Sequence, residues 1–207
     1  PTTNPFAFVV MVDTVLDRFV DYRTANNHTN DTDPCEVMAD LKAFVVEYTV
    51  RDLDLTFVFE RYAIHTIPNF AFDKCVSLQS VVIPSGVESL GTMAFFDTRL
   101  GRVDIPHGVT KIGDHAFASC DVMTSVTLPD SITEIGTYAF AKCEMLRSVT
   151  LPRGVTSIRD ATFYKCPALT DVNILGPITS INQYAFAGCE SLTGIVIPNS
   201  VAAIGEH

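Results

Sequence analysis

From about residue 64 onward, apolar and polar positions recur as one phrase. In "LRSVTLPRGVTSIRDATF", residues 146–163, Val149 and Leu151 alternate with Ser148 and Thr150. A period of two over so short a run predicts a β-strand with one buried side. Pro152 offers no amide donor to a ladder and ends the strand. Arg153-Gly154 reads as a turn. Val155 and Ile158 point inward again, Ala161, Phe163 and Cys166 follow, and the cycle restarts at Leu169. The phenylalanine recurs as Phe72, Phe95, Phe117, Phe140, Phe163 and Phe186, at spacings of 23, 22, 23, 23 and 23. Most of the chain is a tandem repeat, and a repeat is read before any other feature.

One unit cannot shield its own leucine, valine, isoleucine, alanine, phenylalanine and cysteine side chains. Stacking the units turns each inward position into a column. One column is Val81, Val103, Val126, Val149, Val172 and Ile195; another is Ile83, Ile105, Leu128, Leu151, Ile174 and Ile197. Parallel strands in register would lie about 4.8 Å apart. The phenylalanine column fills the opposite wall. Its neighbours are Ala71, Ala94, Ala116, Ala139 and Ala185, with Thr162 the exception. The expected fold is a leucine-rich repeat solenoid, with short parallel β-strands on one face and irregular or helical turns on the other.

The phrase "VMTSVTLPDSITEIGTYAFAKC", residues 122–143, resembles the BspA-like leucine-rich repeat family. That family combines a strand, an Ile-Pro, a V-x-x-I-G step, an Ala-Phe pair and a cysteine. The match falls at Ile83-Pro84, Ile105-Pro106, Leu128-Pro129, Leu151-Pro152 and Ile197-Pro198. It falls again at Leu90-Gly91, Ile112-Gly113, Ile135-Gly136 and Ile204-Gly205. The departures are local: Gly176-Pro177 after Leu175, Arg159 and Asn182 in place of the step glycine, and one residue missing near Leu100. The resemblance implies a protein-binding or adhesion module without catalysis. Many members are surface proteins of bacteria and of parasitic or anaerobic protists, and several are linked to attachment to host matrix proteins.

Residues 1–60 differ in kind and divide from a repeat domain at 61–207. "DPCEVMADLKAFVVEY" begins with Asp33, Pro34 at the first helical position, and Glu36, a good helix start. Val37, Leu41, Phe44, Val45 and Tyr48 recur at helical spacing, which predicts a helix over about 34–49. Phe8 to Tyr22 predicts a second helix, with Val12, Val15, Leu16 and Phe19 on one face. "DLTFVFERY" reads as a strand entering the solenoid. A terminal repeat exposes its last apolar row unless something covers it, so the helices are expected to form an N-terminal helical cap. A docking element or the end of an upstream domain is the alternative. At the other end, the register calls for an Ala-Phe pair and a cysteine just beyond the last residue. The array is therefore expected to continue, and its edge to be open to self-association.

Net charge is −10, which leaves no basic footprint for a nucleic-acid backbone or an anionic membrane surface. No run of eighteen apolar residues predicts a membrane-spanning segment. The opening "PTTNPFAFVVMVDTVLDRFVDY" lacks a basic start and a small-residue cleavage site. The chain does not begin with methionine, so this says little about secretion. "RTANNHTNDTD" holds two glycosylation sequons, at Asn27 and Asn30, which weigh toward the cell surface or a secreted location over the cytoplasm.

Of 6 cysteines, Cys75, Cys120, Cys143, Cys166 and Cys189 hold one repeat position and Cys35 lies outside it. A fixed place in an apolar repeat predicts buried, reduced thiols, stacked as small hydrophobes. Cross-links or a metal are the competing readings, and no His–Cys set has a ligand spacing. His107 and His115 fall in one unit with Asp104 and Asp114, which invites an acid–base reading. Each occupies an outward slot held elsewhere by Ser, Asp, Arg, Asn or Tyr, so decoration is the better reading. No catalytic residue, metal site or cofactor motif is expected.

The strands' outward positions carry what functional signal there is. One column reads Ser80, Arg102, Ser125, Ser148 and Asp171, then Gly194; the next reads Val82, Asp104, Thr127, Thr150, Asn173 and Val196. Leucine-rich repeats bind partners through such a concave face. Ser and Thr also simply suit an exposed strand. No aromatic anchor lies in these columns, and strong interfaces centre on aromatic or arginine side chains. The expected partner is a protein. Two further readings stand beside adhesion: an intracellular structural scaffold or assembly subunit, and a regulatory repeat arm of a larger enzyme.

Overall fold

The computed structural model describes residues 18–26 and 33–206. The sequons at Asn27 and Asn30, and residues 8–17 of the first predicted helix, lie outside that range.

Among the described residues, three helices and β1 (Asp52–Asp54) precede the repeats. Helix α1 runs through 18–25. Helix α2, Pro34–Glu47, starts where the sequence predicts: the Asp33 carboxylate accepts the Cys35 amide at 2.9 Å, and Pro34 opens the first turn. It ends two residues early because Thr49 adopts a left-handed φ of 49°. The expected strand over 54–62 is corrected. Only β1 is extended, and α3, Thr56–Tyr62, is helical. The Asp54 carboxylate caps the Thr56 amide at 2.9 Å. Leu55, Val58 and Phe59 form the buried helical face, whereas Phe57 is exposed.

The repeats build parallel ladders. Along the first run β3 (Ser80–Val82), β5 (Arg102–Asp104), β7 (Ser125–Thr127), β9 (Ser148–Leu151) and β11 (Asp171–Ile174). The last four form one sheet, while β3 pairs with β1, Leu53 opposite Val81. The residue missing near Leu100 falls between β3 and β5, where the ladder is interrupted.

A second ladder, absent from the sequence reading, lies at the V-x-x-I step. It contains β2 (Thr66–Ile67), β4 (Ser89–Leu90), β6 (Lys111–Ile112) and β8 (Glu134–Ile135) in one sheet. Strands β10 (Ser157–Ile158), β12 (Ser180–Ile181) and β13 (Ala203–Ile204) form another. A third set of bonds joins the Ala-Phe segments. Phe95 N–H donates to Ala116 O at 2.8 Å, Phe117 to Ala139 and Phe140 to Thr162 at 2.9 Å. These segments are successive turns, not helix. Residues such as Met93 and Asp97 take φ of 54°, and the Ala94 amide closes an i→i+3 turn onto Gly91 O at 3.3 Å.

Between the ladders lies one core. Phe72, Phe95, Phe117, Phe140 and Phe163 are fully buried, and adjacent rings stack at 5.3–5.7 Å between centroids, with the last pair reaching Phe186 at 5.5 Å. Each buried ring stabilises the stack by roughly 1.5–3 kcal/mol. Gly113 shows how tightly the coils approach: a Cβ there would stand 2.5 Å from the Gly91 carbonyl carbon. The same core continues into Val37, Leu41, Phe44 and Val45 of α2. Lys42 reaches the Phe70 carbonyl at 3.0 Å and pairs with Asp73. Buried Arg23 joins α1 to α2 through Asp40 at 2.9 Å.

At the other end the expected strand over Ile195–Ile197 does not form. Val196 is 86% exposed, Ile197 and Ile204 are exposed, and only β13 pairs back, onto β12.

Candidate functional site: the strand face

Period-two alternation decides which side chains the strands present. Val81, Val103, Val126 and Val149 are buried. Ser80, Val82, Arg102, Asp104, Thr127, Ser148, Thr150, Asp171 and Asn173 are exposed, and Ser125 is half-buried. The ladder aligns these residues: Arg102 lies opposite Ser125, Asp104 opposite Thr127, Asp171 opposite Ser148, and Asn173 opposite Thr150. Ser80 lies opposite Asp52 and Val82 opposite Asp54. Asp52 and Asp54 thus extend both columns, a continuation missed in the sequence because β1 lies outside the repeat. Val196 sits on the unpaired end segment.

Charge on this face is held by neighbours. Arg102 pairs with Asp104 at 3.1 Å, and the Thr127 hydroxyl donates to the same carboxylate at 2.7 Å. The Thr127 bond first, then Arg102, lowers the Asp104 pKa. Ser80 donates to Asp52 at 2.5 Å and Thr170 to Asp171 at 2.7 Å. Thr150 carries an unencumbered exposed hydroxyl at the centre. The face presents small hydroxyls edged by carboxylates.

The histidines do not converge. His107 is exposed after its strand, and His115 stacks on Tyr138 with ring centroids 4.8 Å apart. Among the described residues, no group of three or more His, Cys, Asp or Glu is placed to hold a metal ion. No described helix is long and apolar enough to cross a membrane.

The cysteine column is buried at Cys75, Cys120, Cys143 and Cys166, all free thiols. Cys189 is only half-buried, a correction that follows from the open coil above it. Four of the five repeat thiols do more than fill space. Cys120, Cys143, Cys166 and Cys189 donate to the carbonyls of Phe95, Phe117, Phe140 and Phe163 in preceding coils, at 3.1–3.2 Å. Thr98, in the same slot, keeps a donor but turns it to its own coil, donating to the Phe95 carbonyl at 3.0 Å.

Comparison with known proteins agrees with this geometry. Residues 110–207 match the BspA type leucine-rich repeat region, in 6 copies. No curated protein matches the sequence. A leucine-rich repeat protein of Bacteroides ovatus has a similar structure, with a TM-score of 0.62 at 24% identity over 75% of this chain and 45% of that one. One from Eubacterium ventriosum gives 0.67 at 23% identity, over 75% and 41%. The leucine-rich repeat protein of T. pallidum gives 0.54 at 27% identity, over 69% and 72%. The chain spans less than half the length of the first two.

Proposed function

Because its repeats make this chain a member of the BspA-type leucine-rich repeat family, a fold of non-catalytic scaffolds that bind proteins, we propose that it is an adhesion module. Its contact surface is the strand face formed by Ser80, Val82, Arg102, Asp104, Ser125, Thr127, Ser148, Thr150, Asp171 and Asn173. The observation that carries this reading is the register. Apart from half-buried Ser125, these side chains stand exposed in two columns, while Val81, Val103, Val126 and Val149 between them are buried. A face built from small side chains loses little side-chain entropy on contact. The proposed setting is the cell surface or its exterior, with a host or matrix protein as partner. Glycan at Asn27 or Asn30 in protein from the native cell tests that setting.

The test of the face is binding of the purified chain to a panel of immobilised extracellular-matrix proteins. Thr127→Lys and Thr150→Lys together should reduce binding by about tenfold or more, the scale of losing central interface contacts. Lys142→Glu, on the opposite turns, should leave it unchanged. Absence of binding by the unmodified chain, or equal binding by both variants, overturns the proposal. The exposed apolar residues Val196, Ile197 and Ile204 add self-association through the C-terminal edge to the same proposal.

A further inference from the structure

The coils are not joined equally. In the second ladder, the Thr110 amide reaches Glu88 O at 2.8 Å, Thr133 reaches Thr110 O at 2.9 Å, and Thr179 reaches Thr156 O at 2.7 Å. After the strand, Gly113 donates to Leu90 O, Gly136 to Ile112 O and Asn182 to Ile158 O, at 2.8–2.9 Å. Among the described residues, the corresponding bonds from Thr156 to Thr133 O and from Arg159 to Ile135 O are missing. The hydroxyl bonds repeat the pattern: Thr133 and Thr179 donate to Thr110 O and Thr156 O, with no counterpart from Thr156. Strands β8 and β10 accordingly belong to different sheets.

The first ladder, already interrupted between β3 and β5 where β4 and β6 stay paired, also thins here, so both ladders weaken together only at this boundary. β5 and β7 align over three residue pairs, and β9 and β11 over four, but β7 and β9 register only at Ser125 and Ser148. The Arg147 amide reaches Thr124 O at 3.4 Å, against 2.8 Å for the equivalent Thr124-to-Gly101 bond. Phe140 and Phe163 have the widest spacing in the ring column, 5.7 Å. Only the Ala-Phe turns remain fully bonded across this boundary, through Tyr138, Phe140 and Lys142 at 2.7–3.0 Å.

We infer that the seam between the coils at 122–143 and 145–166 is a built-in hinge, along which the array opens first while the phenylalanine wall holds. Its cause is the change of step residue. Gly136 fits within 2.5 Å of the coil below it, as do Gly91 and Gly113, measured at a would-be Cβ. Arg159 follows Gly136 and carries a real Cβ, so its backbone stands off. Asn182 carries one too, yet stacks on Arg159 and keeps its bond at 2.8 Å. The opening therefore marks the step from glycine to a side-chain-bearing residue, not every side chain. The Arg159 guanidinium reaches back to Glu134 at 2.8 Å, which also meets Lys111 at 3.3 Å. This half-exposed triad tethers the seam without closing the backbone, because such pairs are weak. Two stiff blocks joined by one intact wall let the strand face change its curvature to suit a partner.

Residue-resolved amide exchange on the whole chain tests the hinge. The Thr156 and Arg159 amides should exchange at least about tenfold faster than those of Thr133 and Gly136, as sub-global opening requires. Arg159→Ala keeps a Cβ and should leave this fast exchange in place. Arg159→Gly should slow exchange at 156 and 159 and transfer it to Thr179 and Asn182, where the step to a side chain now falls. Arg159→Gly with Asn182→Gly should protect both sites. Equal protection of Thr156 and Thr133 in the unmodified chain overturns the hinge. Closure by Arg159→Ala overturns the Cβ as its cause. Slow exchange at the Phe140 amide in every variant checks that the fold is intact.

Discussion

Cys143 shows what a single repeat position does. Its thiol is buried between neighbouring coils and donates to the Phe117 carbonyl, so burial holds its pKa well above the ordinary 9.0. Burial pushes Cys120 to about 11 and Cys166 to about 12. In the unfolded chain these thiols ionise above pH 9.0; in the folded chain they stay protonated. Their stabilising effect is thus complete below that pH and is lost as pH rises toward the folded values. Each fully buried thiol should remove about 1.4 kcal/mol of stability per pH unit through this window. Cys143→Ala should flatten the alkaline slope by one thiol, which denaturant melts across about pH 8–10.5 measure. An unchanged slope would mean that Cys143 ionises in the folded chain. The sequence revealed the burial, because the position holds cysteine in every unit but the one with Thr98. It did not reveal the donor role, since a thiol that bonds a carbonyl and one that only packs leave the same residue in the same place. Thr98 was the available clue.

Among elements, the strands and the phenylalanine wall were legible because alternation and a fixed period leave one arrangement that buries every column. The second ladder was not, because two residues per strand are too few to show a period. α3 was misread because Leu55, Phe57 and Phe59 alternate like a strand while Leu55, Val58 and Phe59 also fit a helical face. The helix is the outcome, with the Asp54 carboxylate accepting the Thr56 amide at its start. The outward columns were readable from the alternation alone, apart from Asp52 and Asp54, whose placement depends on β1 pairing with β3. The inward and outward assignment has a direct test. Phe140→Ala removes a ring stacked on Phe117 and Phe163 and should cost about 3–5 kcal/mol. Thr150→Ala alters an exposed hydroxyl and should stay within about 0.5 kcal/mol. Equal denaturation midpoints for the two variants would reverse the assignment.

At the scale of the 207-residue chain, the first and last described coils are unlike. At the first coil, α2 places Phe44 and Val45 in the shared core, and β1 occupies the strand edge beside β3. At the last coil, β13 is bonded on one side only, and Val196, Ile197 and Ile204 face outward at 86%, 39% and 65% exposure. The half-buried Phe186 and Cys189 show that the loosening reaches one coil inward. An apolar row beside an unpaired edge favours association, because burying it removes apolar surface from water and satisfies free backbone groups. The 207-residue chain should therefore sediment as a concentration-dependent mixture of monomer and dimer. Val196→Lys with Ile204→Lys should leave it monomeric, since a dimer would then bury two charges from each copy. The acidic strand face, by contrast, should repel its own copy at low ionic strength, so strand-face pairing would strengthen with added salt. Association that persists in the double-lysine variant and rises steeply with salt would place self-contact on the strand face. A strictly monomeric unmodified chain would mean that the last coil shields itself.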